Sequence, residues 1–107
     1  LALVFSEKLC NAAGVFTQNK VKAESVKLTK ENIANGKAQA VIANSGNANA
    51  CTGEQGAKVA RKMASLAADV LGINSGDVIV YSTGVIGKQL PVEKIEKKVK
   101  ELNYGSY

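Results

Sequence analysis

The chain has 107 residues, 46% hydrophobic and 21% charged, with 14 Lys and Arg against 9 acids for a formal net charge of +5. That balance fits one globular domain over residues 1–107 and excludes a disordered or collagen-like chain. There is no His, so a Ser-His-Asp or Cys-His site cannot be built from this chain alone, and the commonest zinc ligand is missing. In chain order, Leu1 to Ser6 (LALVFS) is a short apolar run expected as a buried strand. Ala13 to Thr17 is a second strand candidate and Val26 to Thr29 a third. Thr29 is the expected N-cap of a short helix through Ala34, stopped by Gly36. Ala38 to Ala43 (AQAVIA) has the length and composition of a strand. A polar stretch follows, and then the clearest helix. Thr52 and Gln55 have capping-box spacing, and Val59, Met63, Leu66 and Val70 share one face, opposite Lys58, Arg61, Lys62 and Asp69. Gly72 ends it, and Asn74-Ser75-Gly76 is a turn. Asp77 to Ser82 alternates like a strand, and TGVIG after it reads as a Gly-flanked loop. Pro91 suits the first turn of a last helix carrying Val92, Ile95, Val99 and Leu102, with Gly105 beyond its end. Strands and helices interleave, which predicts an α/β layered domain with a mixed β-sheet and packed helices.

The positive charge raises the question of nucleic acid, and its distribution answers it. Thirteen of the fourteen cations are Lys, spread along the chain. Lys94, Lys97, Lys98 and Lys100 alternate with Glu93, Glu96 and Glu101 as on a solvated helix face. Only five aromatics are present, too few for a base-stacking surface. No nucleic-acid partner is expected, and no membrane span, since no long apolar run exists. No signal-peptide pattern opens the chain, although Leu1 is not a Met. Cys10 and Cys51 fit no metal spacing and read as reduced thiols of a cytoplasmic protein.

Two segments have the composition of a site. Asn44 to Gly56 (NSGNANACTGEQG) lies between a strand and a helix N-terminus. Its three Asn and three Gly suit a tight loop, either bonding its own backbone or presenting N–H groups to a ligand. The second is Ser82-Thr83-Gly84-Val85-Ile86-Gly87-Lys88, between a strand and a helix. It fails the phosphate-loop pattern, because only Val85 and Ile86 separate the glycines and Gln89 follows Lys88. An oxyanion site is the better chemical use, with the Gly84 N–H and the Thr83 hydroxyl as donors. A plain strand-to-helix turn is the alternative. Glu54 complements a helix dipole, and Cys51, with no His to pair with, is structural.

VIANSGNANACTGEQG together with YSTGVIGKQLPVEKI, preceded by GVFTQNKVKAESV, resembles the ornithine acetyltransferase family, the bifunctional glutamate N-acetyltransferases of arginine biosynthesis. The segments are in the family's order, and the resemblance spans nearly the whole chain. It implies a precursor that cuts itself before a Thr, which then begins a β-chain and serves as nucleophile. Acetyl passes from N-acetylornithine to that Thr and on to glutamate; some members also accept acetyl-CoA as donor. An N-terminal amine acts as base, so no His, metal or other cofactor is required. The resemblance further implies a heterotetramer of two α- and two β-chains, in the cytoplasm or, in eukaryotic relatives, in mitochondria. The family's oxyanion-hole Thr-Gly maps onto Thr83 and Gly84. No self-cleavage motif follows Tyr107 and residues that usually precede LALVF are lacking, so the chain is expected to be an incomplete α-chain. Substrate-binding residues are not assigned. Asn44, Asn47 and Asn49 are expected to shape the loop. The alternatives are a related self-processing amidohydrolase or aminopeptidase, and an anion-binding module.

Overall fold

The computed structural model describes residues 1–102. It alternates β1 (Ala2–Asn11), α1 (Glu24–Asn32), β2 (Lys37–Asn47), α2 (Gly53–Leu71), β3 (Val78–Val85) and α3 (Val92–Glu101), with short 3-10 turns at Ile33–Asn35 and Ser75–Asp77. The sheet is mixed, as expected: its order is β1-β2-β3, with β2 antiparallel to β1 and parallel to β3. A parallel pair needs a long crossover, and α2 supplies it.

Burial alternates along β2, with Ala38, Ala40, Ile42 and Asn44 buried, so the helices lie on one face of the sheet. In register with them, Leu3 and Phe5 of β1 and Val78 and Val80 of β3 turn to the same face. There they meet Val59, Ala60, Met63, Ala64 and Ala67 of α2 and Ile95 and Val99 of α3 in a single core. The apolar stripe of α2 falls on the residues its periodicity predicts, and the alanines let the helix approach the sheet closely. The opposite phase puts Val4, Val41, Ile79 and Tyr81 on the other face, where Val4 is 65% and Tyr81 56% exposed.

Several expectations need correction. Ala13 to Thr17 forms no strand. Val26 to Thr29 is helical, inside α1. A four-residue run with β-branched ends yields here to a helical face on which Ser25 and Leu28 are buried. Thr29 is consequently no N-cap; α1 starts after Ala23. Gly36 does end this helical segment, at φ 72°. Pro91 immediately precedes α3, one position earlier than expected. On α3, Lys98–Glu101 and Lys100–Glu96 pair at 2.7 and 3.2 Å. The expected stop at Gly105 lies outside the described residues.

Thr29 has a different task. Its hydroxyl donates to the Val80 carbonyl at 3.0 Å and accepts from the Val80 N–H at 3.1 Å. One turn on, Asn32 Nδ2 donates to the Val78 carbonyl at 2.9 Å. β3 is an edge strand, and these side chains satisfy the backbone groups that β2 does not reach. Thr29→Val keeps the shape and removes both bonds. It is expected to destabilise the full-length protein by about 1–3 kcal/mol, with faster amide exchange at Val80 as the local signature.

Candidate functional site

The parallel pairing of β2 with β3 brings the two polar motifs together. Asn44 lies opposite Ser82, Ser45 opposite Thr83, Gly46 opposite Gly84 and Asn47 opposite Val85. Both motifs therefore begin as strand rather than loop, and only residues 48–52 form the connector to α2. The crossover makes neighbours of segments that the sequence separates by a whole helix.

The connector is fastened on several sides. The Ala48 N–H donates to the Val85 carbonyl at 2.9 Å and the Gly87 N–H to the Ala50 carbonyl at 3.0 Å. The Glu24 N–H donates to the Asn49 carbonyl at 2.8 Å, and Gln89 Nε2 to the Thr52 carbonyl at 2.9 Å. Asn49 is fully buried. Its Nδ2 donates to the Gly56 carbonyl at 2.8 Å, and its Oδ1 accepts from the Thr52 hydroxyl at 2.6 Å. That bond replaces the expected capping box: the Thr52 hydroxyl donates to Asn49 and makes no cap bond to the first turn of α2. A buried amide oxygen needs a donor more than an exposed helix end does.

Asn44, also buried, donates from Nδ2 to the Asn47 carbonyl at 3.0 Å. Its Oδ1 is buried without a hydrogen-bond partner in the described structure. Asn44 and Asn49 thus use their amides on the loop and strand end themselves. Cys51 is exposed, free, and sits at φ 56° in the turn before α2. Cys10 is also free and exposed, its thiol donating to Ser6 Oγ at 3.1 Å. Glu54 is solvent-exposed and pairs with Lys58 at 3.3 Å. Among the described residues no group of His, Cys, Asp or Glu is placed to hold a metal ion.

Thr83 and Gly84 are exposed at the end of β3. Along a strand the N–H and C=O of one residue point to the same side, and successive residues alternate. Val80 turns both of its groups to the free edge, where Thr29 takes them, and Val78 turns its carbonyl there to Asn32. The Val85 carbonyl points the other way and accepts from Ala48 after β2. Gly84 is in phase with Val80 and out of phase with Val85, so its N–H points to the free edge. The Thr83 side chain has the phase of Ile79 and Tyr81 and rises on the face the helices leave open.

Gly84 could carry no side chain here. At φ 127°, a Cβ would run into the carbonyl group of Gly46 and come within 2.7 Å of the Asn47 nitrogen. Gly46 itself has φ 121°. The role of Gly46 is invisible in the sequence, because only the register shows that the two glycines face each other.

The fold is shared with arginine-biosynthesis proteins of known structure. The chain matches the crystal structure of arginine biosynthesis bifunctional protein ArgJ from Bacillus halodurans with a TM-score of 0.91 and 42% identity, covering 94% of this chain and 53% of that one. It also matches ornithine acetyltransferase of Mycobacterium tuberculosis, solved in complex with ornithine, with a TM-score of 0.88 and 40% identity over 94% of this chain and 55% of that one. The ArgJ family model matches residues 1–105, and the chain belongs to the ArgJ family. Among curated relatives, the arginine biosynthesis bifunctional protein ArgJ of Caldanaerobacter subterraneus subsp. tengcongensis is 56% identical over 99 residues, which are 92% of this chain and 25% of that protein. The glutamate N-acetyltransferase of Methanothermobacter thermautotrophicus is 53% identical over 85 residues, 79% of this chain and 21% of that protein. The chain thus spans about a quarter of the length of the curated relatives it matches. In the described residues no helix is long and apolar enough to cross a membrane.

Proposed function

We propose that this chain supplies the oxyanion half of a glutamate N-acetyltransferase site, with Thr83 and Gly84 as the donors. The observation that carries it is the end of β3: an edge-facing Gly84 N–H beside an exposed Thr83, in a family whose relatives bear that activity. A hydroxyl and an amide on consecutive residues can reach one oxygen atom, and fixed donors of that kind stabilise the charge that develops on an attacked carbonyl.

The chemistry divides into two transfers. A Thr hydroxyl at the start of a second chain, cut from the same precursor, attacks the acetyl carbonyl carbon of N-acetylornithine. A C–O bond forms first, the C–N bond of the resulting tetrahedral species then breaks, and the hydroxyl proton passes by way of the Thr amine to the departing ornithine amine. In the second half the glutamate amine attacks the acetyl ester, a C–N bond forms, the C–O bond breaks, and the proton the glutamate amine gives up returns by way of the Thr amine to the Thr hydroxyl. Both halves pass through a tetrahedral oxyanion, and both draw on Thr83 and Gly84. No resident cofactor enters either step; acetyl-CoA is an alternative acetyl donor for the first. The working unit is a heterotetramer of two α- and two β-chains in the cytoplasm, and this chain is part of the α-chain.

The test supplies the protein, isolated with any co-purifying chain, with N-acetylornithine and labelled glutamate. The expected results are labelled N-acetylglutamate and a partner chain whose first residue is Thr, while the 107 residues alone are inactive. Release of acetate without N-acetylglutamate would indicate the amidohydrolase chemistry instead and overturn the assignment.

A further inference from the structure

The geometry points to Gly46 as a positioning residue for the Gly84 amide, with Asn44 as its brace; this rests on the oxyanion role proposed for Gly84. The place where a Gly84 side chain would sit is occupied by the peptide joining Gly46 to Asn47. That peptide is the wall against which Gly84 rests on the β2 side, and the Gly84 N–H points the opposite way, to the free edge. Its orientation is set by Gly46, whose φ of 121° is one that L side chains rarely adopt. Nothing crowds Gly46: a Cβ built there has no neighbour within 4 Å. A glycine is needed at 46 for the backbone angle alone. Any other residue draws φ back to negative values and rotates the peptide that Gly84 leans on.

Asn44 ties the same bend from beneath. Its Nδ2 donates to the Asn47 carbonyl at 3.0 Å, spanning Gly46, and its Oδ1 goes unpartnered in the described structure. A buried acceptor left without a donor is unfavourable for the fold. An apolar residue of similar size would relieve that penalty but would release Asn47. Stability and positioning therefore pull in opposite directions at Asn44, as expected where a polar group is retained for geometry.

The test uses the full-length enzyme with its partner chain and measures pre-steady-state acetylation by N-acetylornithine. The burst amplitude counts correctly folded sites, and the burst rate constant reports oxyanion stabilisation within them. Gly46→Ala is expected to lower the rate constants of acetylation and deacetylation by roughly 10- to 100-fold, the size of effect a small misplacement produces, with amplitude and substrate KM unchanged. Asn44→Leu is expected to lower the rate constant in the same sense while the Tm stays level or rises. Gly72→Ala is the control for strain alone: Gly72 has φ 68° at the end of α2 with open space around it, so its variant loses Tm and keeps wild-type rate constants. The inference is overturned if Gly46→Ala behaves like Gly72→Ala, or if it lowers the amplitude at an unchanged rate constant. Should Gly46→Ala not fold, a wild-type rate constant in Asn44→Leu overturns it. Thr83→Ala separates the two levels. If Thr83→Ala is slow and the Gly46 and Asn44 variants are not, the positioning role alone falls; if Thr83→Ala is as fast as wild type, the oxyanion role falls with it.

Discussion

Thr83→Ala in the assembled enzyme is expected to lower kcat by roughly 10²–10³ while KM for N-acetylornithine moves little, which is the loss that follows removal of one oxyanion donor. The split follows from the role proposed for the hydroxyl: an oxyanion donor acts on charge present in the transition state and nearly absent in the bound amide, so its removal leaves ground-state binding intact. Thr83 is exposed and makes no side-chain hydrogen bond within the described structure, so the Tm of this variant should match wild type. Gly84→Ala should differ in that respect. It too should slow kcat, but it introduces a Cβ against the Gly46 carbonyl at a backbone angle of 127°, and its Tm should fall as well. Steady-state kinetics beside thermal denaturation reads both variants. Turnover in Thr83→Ala equal to wild type would remove the oxyanion assignment.

Gly56→Ala should be among the most destabilising single-methyl changes in the chain. Helix propensity gives the opposite sign, since Gly56 lies in the first turns of α2 and Ala is favoured over Gly inside a helix by about 1 kcal/mol. Packing decides against propensity. A Cβ on Gly56 would overlap the Thr52 hydroxyl and lie 2.6 Å from Asn49 Oδ1. The Thr52–Asn49 bond would have to break or the helix start to shift, leaving a buried amide oxygen without its donor. The expected loss is about 2–3 kcal/mol, an overpacking cost added to an unmade hydrogen bond. It is read as a lower denaturation midpoint at unchanged m-value. A midpoint equal to or above wild type would mean that the clamp yields freely.

Much of the fold is legible along the chain, for physical reasons that differ from element to element. α2 is the clearest case: Val59, Met63, Leu66 and Val70 repeat at helical spacing within a helix of nineteen residues, long enough for the period to be unambiguous. β2 and the start of β3 announce themselves as apolar runs of strand length. The failures cluster where the pattern is short or where a side chain has an unusual partner. Val26 to Thr29 has β-branched ends but only four residues, and the burial of Ser25 and Leu28 on one helix face outweighs them. Thr29 and Thr52 look like caps by position, yet neither hydroxyl caps a helix: one bonds the Val80 backbone fifty-one residues on, the other the Asn49 amide three residues back. The composition of the candidate site was evident, since Thr83 and Gly84 stand out in their own motif. Its neighbours were not, because pairing Gly46 with Gly84 is a fact of register, and register between parallel strands is written nowhere in either strand alone.

Thr29 and Asn32 have a consequence for the behaviour of the chain among its own copies. An edge strand offers its free N–H and C=O groups to any passing extended segment, and so invites intermolecular pairing and aggregation. On β3 that invitation is withdrawn at Val78 and Val80: the two α1 side chains hold both groups of Val80 and the Val78 carbonyl, and Ser75 holds the Val78 N–H. It stands open only over the last few residues, where Gly84 is. The same edge is thus guarded against misassociation along its apolar half and left accessible at Gly84, where the proposed oxyanion role needs an amide. Loss of the Thr29 hydroxyl should accordingly show itself in turbidity on heating as much as in stability.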